Sequence, residues 1–153
     1  MPVMDVRDVM RISPVIPVLT VTRLEHAVPL ARALVEGGLR VLEVTLRTAC
    51  ALEAIHAMRS AVPDAIVGAG TLTRPADFEA AARAGSQFGV TPGLSTELVE
   101  AARAAPFPIL PGVMTPTELI AARSAGYSAF KLFPALQAGG IGMLKALSGP
   151  FPD

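Results

Sequence analysis

Strand-like and helix-like segments alternate along this chain at a regular spacing. Short apolar or β-branched runs begin near Val15, Val41, Ile66, Gln87, Pro108 and Ala129. Ala-, Leu- and Glu-rich segments follow them, and these predict helices at roughly 27–37, 50–61, 75–84, 96–104, 116–125 and 141–148. Another short amphipathic helix is predicted before the first strand, near residues 4–12. Strands that alternate with helices in this way indicate repeated βα units and a parallel sheet.

The second predicted strand helps to choose between the two main parallel architectures. A doubly wound sheet buries both faces of its strands, which are then uniformly apolar. Residues 41–47 instead alternate, because Leu42, Val44 and Leu46 form an apolar face and the polar side chains lie on the other face. A polar inner face favours an α/β fold of the (β/α)8 TIM-barrel type, in which active sites lie at the C-terminal ends of the strands.

The length of the chain limits how much of such a barrel it can form. The chain has 153 residues, whereas eight βα units need roughly 250 residues, or about 200 in compact examples. We therefore expect residues 1–153 to form a single incomplete barrel domain of about six units, without the last two strand–helix units. Such a domain exposes two sheet edges and apolar helix faces. Either the chain is a fragment of a longer protein, or another copy covers the gap.

Composition argues against several classes of partner. The formal net charge is zero, and no basic patch indicates binding to nucleic acid. No uncharged segment free of Pro and Gly is long enough to span a bilayer, and no secretory signal is visible at the N-terminus. A single cysteine, Cys50, cannot form an internal disulfide, which fits a reducing cytoplasm. We predict that Cys50 is a small buried residue on a helix and that His26 and His56 lie on the surface.

Lys131 lies in an otherwise apolar strand-like run, residues 129–134, and is one of only two lysines in the chain. Burial disfavours the ammonium form of a lysine and lowers its pKa. A neutral amine in a closed site is what Schiff-base formation with a carbonyl compound requires. The alternative interpretation is a lysine at a strand end, whose stem packs while its charged end stays in solvent.

Three further polar residues are expected to converge with Lys131 at the C-terminal ends of the strands. Glu43 can relay protons, Arg47 offers a planar fork that matches a carboxylate, and the Thr71 hydroxyl can complete that anion site. Together they suit activation of the ketone of a small 2-keto acid. Two alternatives stay open: a Glu43–Arg47 pair that only satisfies itself, and a barrel isomerase or epimerase that uses Glu43 as its base.

Six segments carry a resemblance to a known family, and the most specific motifs are Glu-Val-Thr-Leu-Arg at 43–47 and Lys-Leu-Phe-Pro-Ala at 131–135. The segments are 14–18, 38–48, 66–72, 91–93, 109–113 and 130–135. They span almost the whole chain, in order, and resemble the bacterial 2-keto-3-deoxy-6-phosphogluconate (KDPG) aldolases. Members of this family are often bifunctional with 4-hydroxy-2-oxoglutarate aldolase.

The resemblance implies a class I aldolase, which cleaves KDPG to pyruvate and glyceraldehyde 3-phosphate. Lys131 would form the Schiff base with pyruvate, and Glu43 would be the general acid and base. Substrate-binding roles are implied for Arg47, Thr71, Pro92 and Phe133. The resemblance further implies a cytoplasmic homotrimer of (β/α)8 barrels that needs no metal or other cofactor.

The C-terminus is where the chain departs from the family pattern. The family continues with a seventh strand bearing a Thr-Gly-Gly motif and an eighth bearing a Gly-Ser turn, which together are expected to bind the substrate phosphate. Neither of these two strands, with its motif, follows the sixth predicted unit in this sequence. We therefore expect the pyruvate half of the site without the phosphate half. The alternative function is that of a catalytically incomplete fragment that acts only as an assembly piece.

Overall fold

The computed structural model of the protein describes residues 5–152 and consists of alternating strands and helices. After the N-terminal helix α1 (Val6–Ile12), the strands are β1 (Val18–Leu19), β2 (Val41–Thr45), β3 (Ile66–Gly70), β4 (Gly89–Val90), β5 (Ile109–Leu110), β6 (Gly112–Val113) and β7 (Lys131–Leu132). The helices between and after them are α2 (Ala27–Glu36), α3 (Ala51–Ala61), α4 (Pro75–Arg83), α5 (Thr96–Ala104), α6 (Pro116–Ser124) and α7 (Gly140–Leu147).

The strands pair in parallel and in chain order. One sheet has the order β1-β2-β3-β4-β5, and β6 pairs with β7 in a second, two-stranded sheet. Pro111 separates β5 from β6, because proline has no N–H to donate to a strand ladder. The carbonyl of Pro111 still accepts a hydrogen bond from the Lys131 N–H at 2.9 Å, so β5 and β6 act as two halves of one strand. The described residues therefore form six βα units of a partial TIM-type barrel, as predicted.

The alternation predicted for β2 is confirmed by the packing of its two faces. Leu42 and Val44 are fully buried in the main core cluster, which also contains Ile55 and Met58 of α3 and small residues of α2. Val41, on the opposite face, packs instead into a separate cluster inside the barrel. The outer face of β2 thus lies under the helices, and its inner face is directed toward the barrel axis.

Helix α1 closes the N-terminal end of the barrel. Its Val9 is 1% exposed and packs against Val41 of β2 and against Phe88 and Val90 at β4, which point inward. Complete burial of a valine side chain contributes about 1.5–3 kcal/mol. The helix predicted near residues 4–12 therefore exists from Val6 and forms the base of the barrel, while residue 4 lies outside the described residues.

A third core cluster forms between the last strands and helices. Val113 and Leu119 pack with Phe130 and Leu147, so Phe130 faces outward, on the side opposite to its chain neighbour Lys131. Within residues 5–152, β1 and β7 each pair with one neighbouring strand only. Apolar side chains close to these edges are exposed: Val18 by 51% and Ile141 by 73%.

Two local predictions need correction. The first strand begins at Val18 rather than near Val15, because Pro14 and Pro17 lack the N–H groups that a ladder needs. Cys50 precedes α3 as its N-cap, is partly exposed, and its thiol donates to the carbonyl of Val21. His26 and His56 are exposed, as predicted. None of the helices formed by residues 5–152 is long and apolar enough to cross a membrane.

Candidate active site

Lys131 and Glu43 face each other across the interior of the barrel. The Lys131 Nζ lies 3.7 Å from Glu43 Oε1, and the two side chains are 23% and 5% exposed. Lys131 opens β7 and Glu43 lies at the centre of β2, so two strands distant in sequence bring the pair together. Lys131 therefore points inward, which favours the interpretation as a functional amine over that of a strand-end lysine extended into solvent.

The position of the Glu43 carboxylate depends on a glycine in the adjacent strand. Glu43 Oε1 occupies the space that a Cβ atom at Gly70 would fill, so any larger residue there would displace the carboxylate. Oε1 is buried and accepts no hydrogen bond from the described residues. The 3.7 Å separation from Lys131 Nζ is an ion-pair distance and exceeds that of a hydrogen bond.

Burial raises the pKa of Glu43, and the positive charges of Lys131 and Arg47 oppose this rise. A raised pKa makes a carboxyl group a better proton acceptor as a carboxylate and keeps its neutral, proton-donating form populated to higher pH. Glu43 Oε1 accepts no hydrogen bond from the described residues and lies beside the Lys131 amine, so the carboxyl group is available to exchange a proton there. Perturbed carboxyl groups of this kind concentrate at functional sites.

Arg47 and Thr71 form a second polar pair beyond the ends of β2 and β3. Arg47 Nε donates a hydrogen bond of 3.1 Å to Thr71 Oγ1, and the guanidinium is exposed. Thr71 has a φ of 62° and is the one non-glycine residue in the described chain with a positive φ. A left-handed backbone costs a β-branched residue on the order of 1–3 kcal/mol. Strained residues of this kind are typical of functional sites.

Hydrogen bonds on both sides of Thr71 hold this strained backbone. The Leu46 N–H donates to the carbonyl of Gly70 at 2.9 Å, and the Leu72 N–H donates to the carbonyl of Val90 at 3.2 Å. The Leu72 side chain is fully buried. The backbone at Thr71 thus departs from the conformation of a β-strand, and the Thr71 hydroxyl is held beside Arg47.

The two predicted pocket-lining residues differ in how the structure connects them to Lys131. The Lys131 Nζ lies 5.1 Å from the centroid of the Phe133 ring, which is a cation–π distance. Pro92 is connected through its backbone: its carbonyl lies where a Cβ at Gly112 would be, and Gly112 is the strand partner of Lys131. A direct contact between Pro92 and substrate stays a prediction.

Sequence reasoning missed three supporting residues. Gly70 permits the close approach of the Glu43 carboxylate, and Gly112 permits that of the Pro92 carbonyl. Thr45 lies between Glu43 and Arg47 in the chain and is fully buried, and its hydroxyl donates to the carbonyl of Leu19 at 2.9 Å. Glycine inside a strand is itself a signal of close backbone approach. Gly68-Ala69-Gly70 carries that signal.

Large surface grooves do not coincide with this chemistry. A groove of about 540 Å³ lies outside the barrel between α4 and α5, and none of the residues discussed above lines it. Within residues 5–152 no group of three or more His, Cys, Asp or Glu side chains is arranged to hold a metal ion. The candidate site is therefore defined by side-chain chemistry at the strand ends.

The fold and the site together define a TIM-type barrel protein with a lysine–carboxylate pair and an adjacent arginine–threonine pair. A family model for KDPG and KHG aldolase matches residues 6–153. The chain belongs to this aldolase family, as the motif resemblance predicted.

Individual relatives agree with the family match. The chain is 49% identical over 144 residues to the 2-dehydro-3-deoxy-phosphogluconate aldolase of Dickeya dadantii and to the KHG/KDPG aldolase of Escherichia coli. Each match covers 94% of this chain and 68% of the relative, so the chain spans about two thirds of the length of these curated relatives.

Solved structures with the same fold include two KDPG aldolases. One is the Legionella pneumophila protein, with pyruvate captured as a covalent carbinolamine intermediate (TM-score 0.92, 47% identity, 95% of this chain and 70% of that one). The other is the Zymomonas mobilis protein with 3-phosphoglycerate (TM-score 0.93, 45% identity, 97% of this chain and 70% of that one).

Proposed function

We propose that this protein is a class I aldolase that forms a Schiff base between Lys131 and the ketone of a 2-keto acid. The proposed reaction cleaves KDPG to pyruvate and glyceraldehyde 3-phosphate, and 4-hydroxy-2-oxoglutarate to pyruvate and glyoxylate. The observation that carries the proposal is the 3.7 Å approach of the inward-facing Lys131 amine to a buried Glu43 oxygen that has no hydrogen-bond partner within residues 5–152. Named relatives with 49% identity support it.

In the first half of the proposed reaction, the unprotonated Lys131 amine attacks the C2 carbonyl carbon of the substrate. The resulting carbinolamine takes up a proton at its hydroxyl and loses water, which leaves a protonated imine. Glu43 is within reach of the new C–N bond and can supply this proton in its neutral form. Burial raises the pKa of Glu43 and so favours this neutral form.

In the second half, the protonated imine accepts electrons from the bond to be broken. Glu43, now a carboxylate, accepts the proton of the C4 hydroxyl, and the C3–C4 bond breaks to release an aldehyde. The electron pair of that bond forms an enamine on the lysine. Glu43 returns the proton to C3, and water hydrolyses the protonated imine to free pyruvate and the Lys131 amine, with the released proton returning to the Glu43 carboxylate.

Arg47 and Thr71 are the proposed binding site for the substrate carboxylate. A guanidinium can present paired N–H groups to a carboxylate, and the neighbouring hydroxyl can donate a further hydrogen bond. The 3.1 Å bond from Arg47 to Thr71 keeps both groups together at the open end of the barrel. Phe133 and Pro92 are proposed to line the pocket beside the reacting amine.

The single domain, the homotrimer and the cytoplasmic location stay predictions within this proposal. Core clusters connect successive units from α1 to α7, which supports a single domain. A homotrimer and a cytoplasmic location are inferred from the family resemblance. Sedimentation velocity of the purified chain measures the oligomeric state, and fractionation of the source cells measures the location.

The test of the proposed function uses the chain incubated with pyruvate and sodium borohydride, which reduces an imine to a stable amine. Peptide mass spectrometry should then find the reduced pyruvate adduct on Lys131. Lys145, an exposed lysine of α7, is the internal control and should stay unmodified. A label on Lys145 alone, or no label on either lysine, would defeat the proposal.

A second candidate function is favoured by the exposed edges described above. Val18 at β1 and Ile141 on α7 are apolar and exposed beside strands with a single neighbour. A fragment that acts as an assembly piece would associate through such surfaces. The purified chain would then sediment as an assembly without forming the Lys131 adduct, whereas a folded monomer that forms the adduct would contradict this candidate.

A further inference from the structure

Asp77 is a buried carboxylate with an unusual number of hydrogen-bond partners. It lies in the first turn of α4 and is only 6% exposed. Its Oδ2 accepts from the N–H of Thr73 at 2.9 Å and from that of Arg74 at 3.0 Å. Its Oδ1 accepts from the Arg74 guanidinium at 2.9 and 3.2 Å. A single carboxylate therefore fixes both the backbone and a side chain of the loop before α4.

This loop begins at Thr71, the proposed carboxylate-binding residue with a left-handed backbone. From Thr71 to Arg74 the chain is anchored at Leu72, by side-chain burial and its bond to Val90, and then at Thr73 and Arg74 by Asp77. Unfavourable backbone conformations persist only where the surrounding structure determines them. Asp77 supplies a second anchor on the C-terminal side of Thr71, beyond Leu72.

We propose that Asp77 is a positioning residue for the Arg47–Thr71 pair, and that it acts through the backbone of residues 71–74. The inference rests on the proposed function, because it assigns Asp77 to the carboxylate-binding half of that site. Asp77 has no contact with Lys131 or Glu43 among the described residues. Its loss is therefore expected to weaken the binding of a substrate carboxylate more than it impairs the chemistry at the lysine.

The charge on Asp77 suits this role. Burial raises the pKa of Asp77, but the hydrogen bonds from the N–H of Thr73 and from Arg74 outweigh burial and hold the pKa below its usual value. The carboxylate is consequently ionised throughout the neutral range. Ionised acceptors form stronger hydrogen bonds to backbone N–H groups than neutral ones do.

The chain contains a matched control for Asp77 at the start of α6. Glu118 occupies the same helical position and accepts from the N–H groups of Met114 and Thr115 at 2.6 and 3.0 Å. Its loop carries none of the proposed substrate-binding residues. A substitution at Glu118 therefore removes the same kind of helix-start interaction without disturbing Thr71.

The experiment measures borohydride trapping at Lys131 in the full chain, with either pyruvate or hydroxyacetone as the carbonyl compound. Hydroxyacetone offers a similar ketone without a carboxylate. The variants are Asp77→Asn, Asp77→Glu and Glu118→Gln, with circular dichroism to verify folding. Asp77→Ser is the second variant should Asp77→Asn not fold. The readout is the concentration of each compound that gives half-maximal labelling.

Asp77→Asn is expected to raise the half-saturating pyruvate concentration about tenfold, the effect of one lost charge-assisted hydrogen bond. It should leave the value for hydroxyacetone and the maximal labelling unchanged, and Asp77→Glu should restore most of the pyruvate affinity. Equal weakening of both compounds, an unchanged pyruvate value, or the same loss in Glu118→Gln would overturn the positioning role. Failure of the wild-type chain to label would instead refute the proposed function itself.

Discussion

The carboxylate of Glu43 fills the space in which a side chain at Gly70 would lie. The two residues belong to adjacent parallel strands, and Gly70 is the strand partner of Thr45, two residues along from Glu43 on the same face. Because Gly70 has no side chain, a space is left in the inner wall of the barrel, and the buried Glu43 carboxylate fills it. The position of the proposed general acid and base follows from this space.

The first prediction concerns that space. Gly70→Ala forces the Glu43 carboxylate away from Lys131, because the new methyl group and Oε1 cannot share the same space. We expect borohydride labelling of Lys131 by pyruvate to become much slower and the free energy of unfolding to fall by about 1–3 kcal/mol. Gly142→Ala is the control, since a Cβ there meets nothing within 4 Å. Normal labelling in Gly70→Ala would show that the position of Glu43 is unimportant.

The second prediction concerns the amine. Lys131→Ala should abolish both trapping and cleavage while the circular dichroism spectrum stays that of the folded chain. Lys131→Arg keeps a positive charge near Glu43 but has no nucleophilic amine, so it should be equally inactive. Retention of much activity in Lys131→Arg would favour an isomerase or epimerase in which Glu43 acts alone. Lys145→Ala should behave as the wild type.

The third prediction separates imine formation from proton transfer. Glu43→Gln retains the shape of the side chain but cannot exchange a proton, so the methyl hydrogens of bound pyruvate should exchange with deuterated water about 100-fold more slowly or worse. Borohydride trapping at saturating pyruvate should be slower, because Glu43 also assists the loss of water from the carbinolamine, but it should not be blocked. Nuclear magnetic resonance of the pyruvate methyl group measures the exchange. An unimpaired exchange rate would remove Glu43 from the proposed mechanism.

The fourth prediction follows from the raised pKa of Glu43. Burial favours the neutral acid in the folded state, so the folded protein binds more protons than the unfolded chain above the ordinary carboxyl value of 4.5. The contribution of Glu43 to stability is present at lower pH and is lost as pH rises through the raised pKa. Glu43→Gln should therefore gain stability relative to the wild type as pH rises through this range. Urea unfolding across the range measures the difference, and a constant difference would contradict the prediction.

The fifth prediction tests the carboxylate site. Arg47→Lys retains the charge but loses both the planar fork and the Nε–H that donates to Thr71. Half-saturation by pyruvate should rise about tenfold, as expected for the loss of one hydrogen bond between charged groups, with maximal labelling unchanged. Arg59→Lys, at a residue bonded to a carbonyl on the outside of the barrel, is the comparison. A lower maximal labelling with unchanged half-saturation would place Arg47 in the chemical step instead.

The sequence predicted the βα repeat and the inward face of β2 because both depend on local periodicity. Helix α5 has the predicted bounds, and the α3 and α4 bounds differ from prediction by one residue. The Lys131–Glu43 contact followed from strand parity combined with the closure of a parallel barrel. The βα repeat tolerates small errors in the element bounds, whereas the faces of a strand depend on exact parity, since a shift of one residue moves every side chain to the other face.

Other features could not be predicted, because they depend on contacts between distant segments. The left-handed backbone of Thr71 has no local signal, since a β-branched residue ordinarily avoids it. Pro111 itself indicates an interruption of the strand there. Its effect on the hydrogen-bond ladder, however, depends on which neighbouring strand would have accepted the missing N–H. The anchoring by Asp77 required the positions of two backbone N–H groups.

The backbone conformation of Thr71 has a consequence for directed evolution of this protein. Glycine adopts a positive φ at little cost, so a library selected only for heat resistance should accumulate glycine at position 71. The surviving variants would be thermally more stable and would lack the hydroxyl beside Arg47. Enzyme engineers who optimise robustness therefore need an activity filter at this codon.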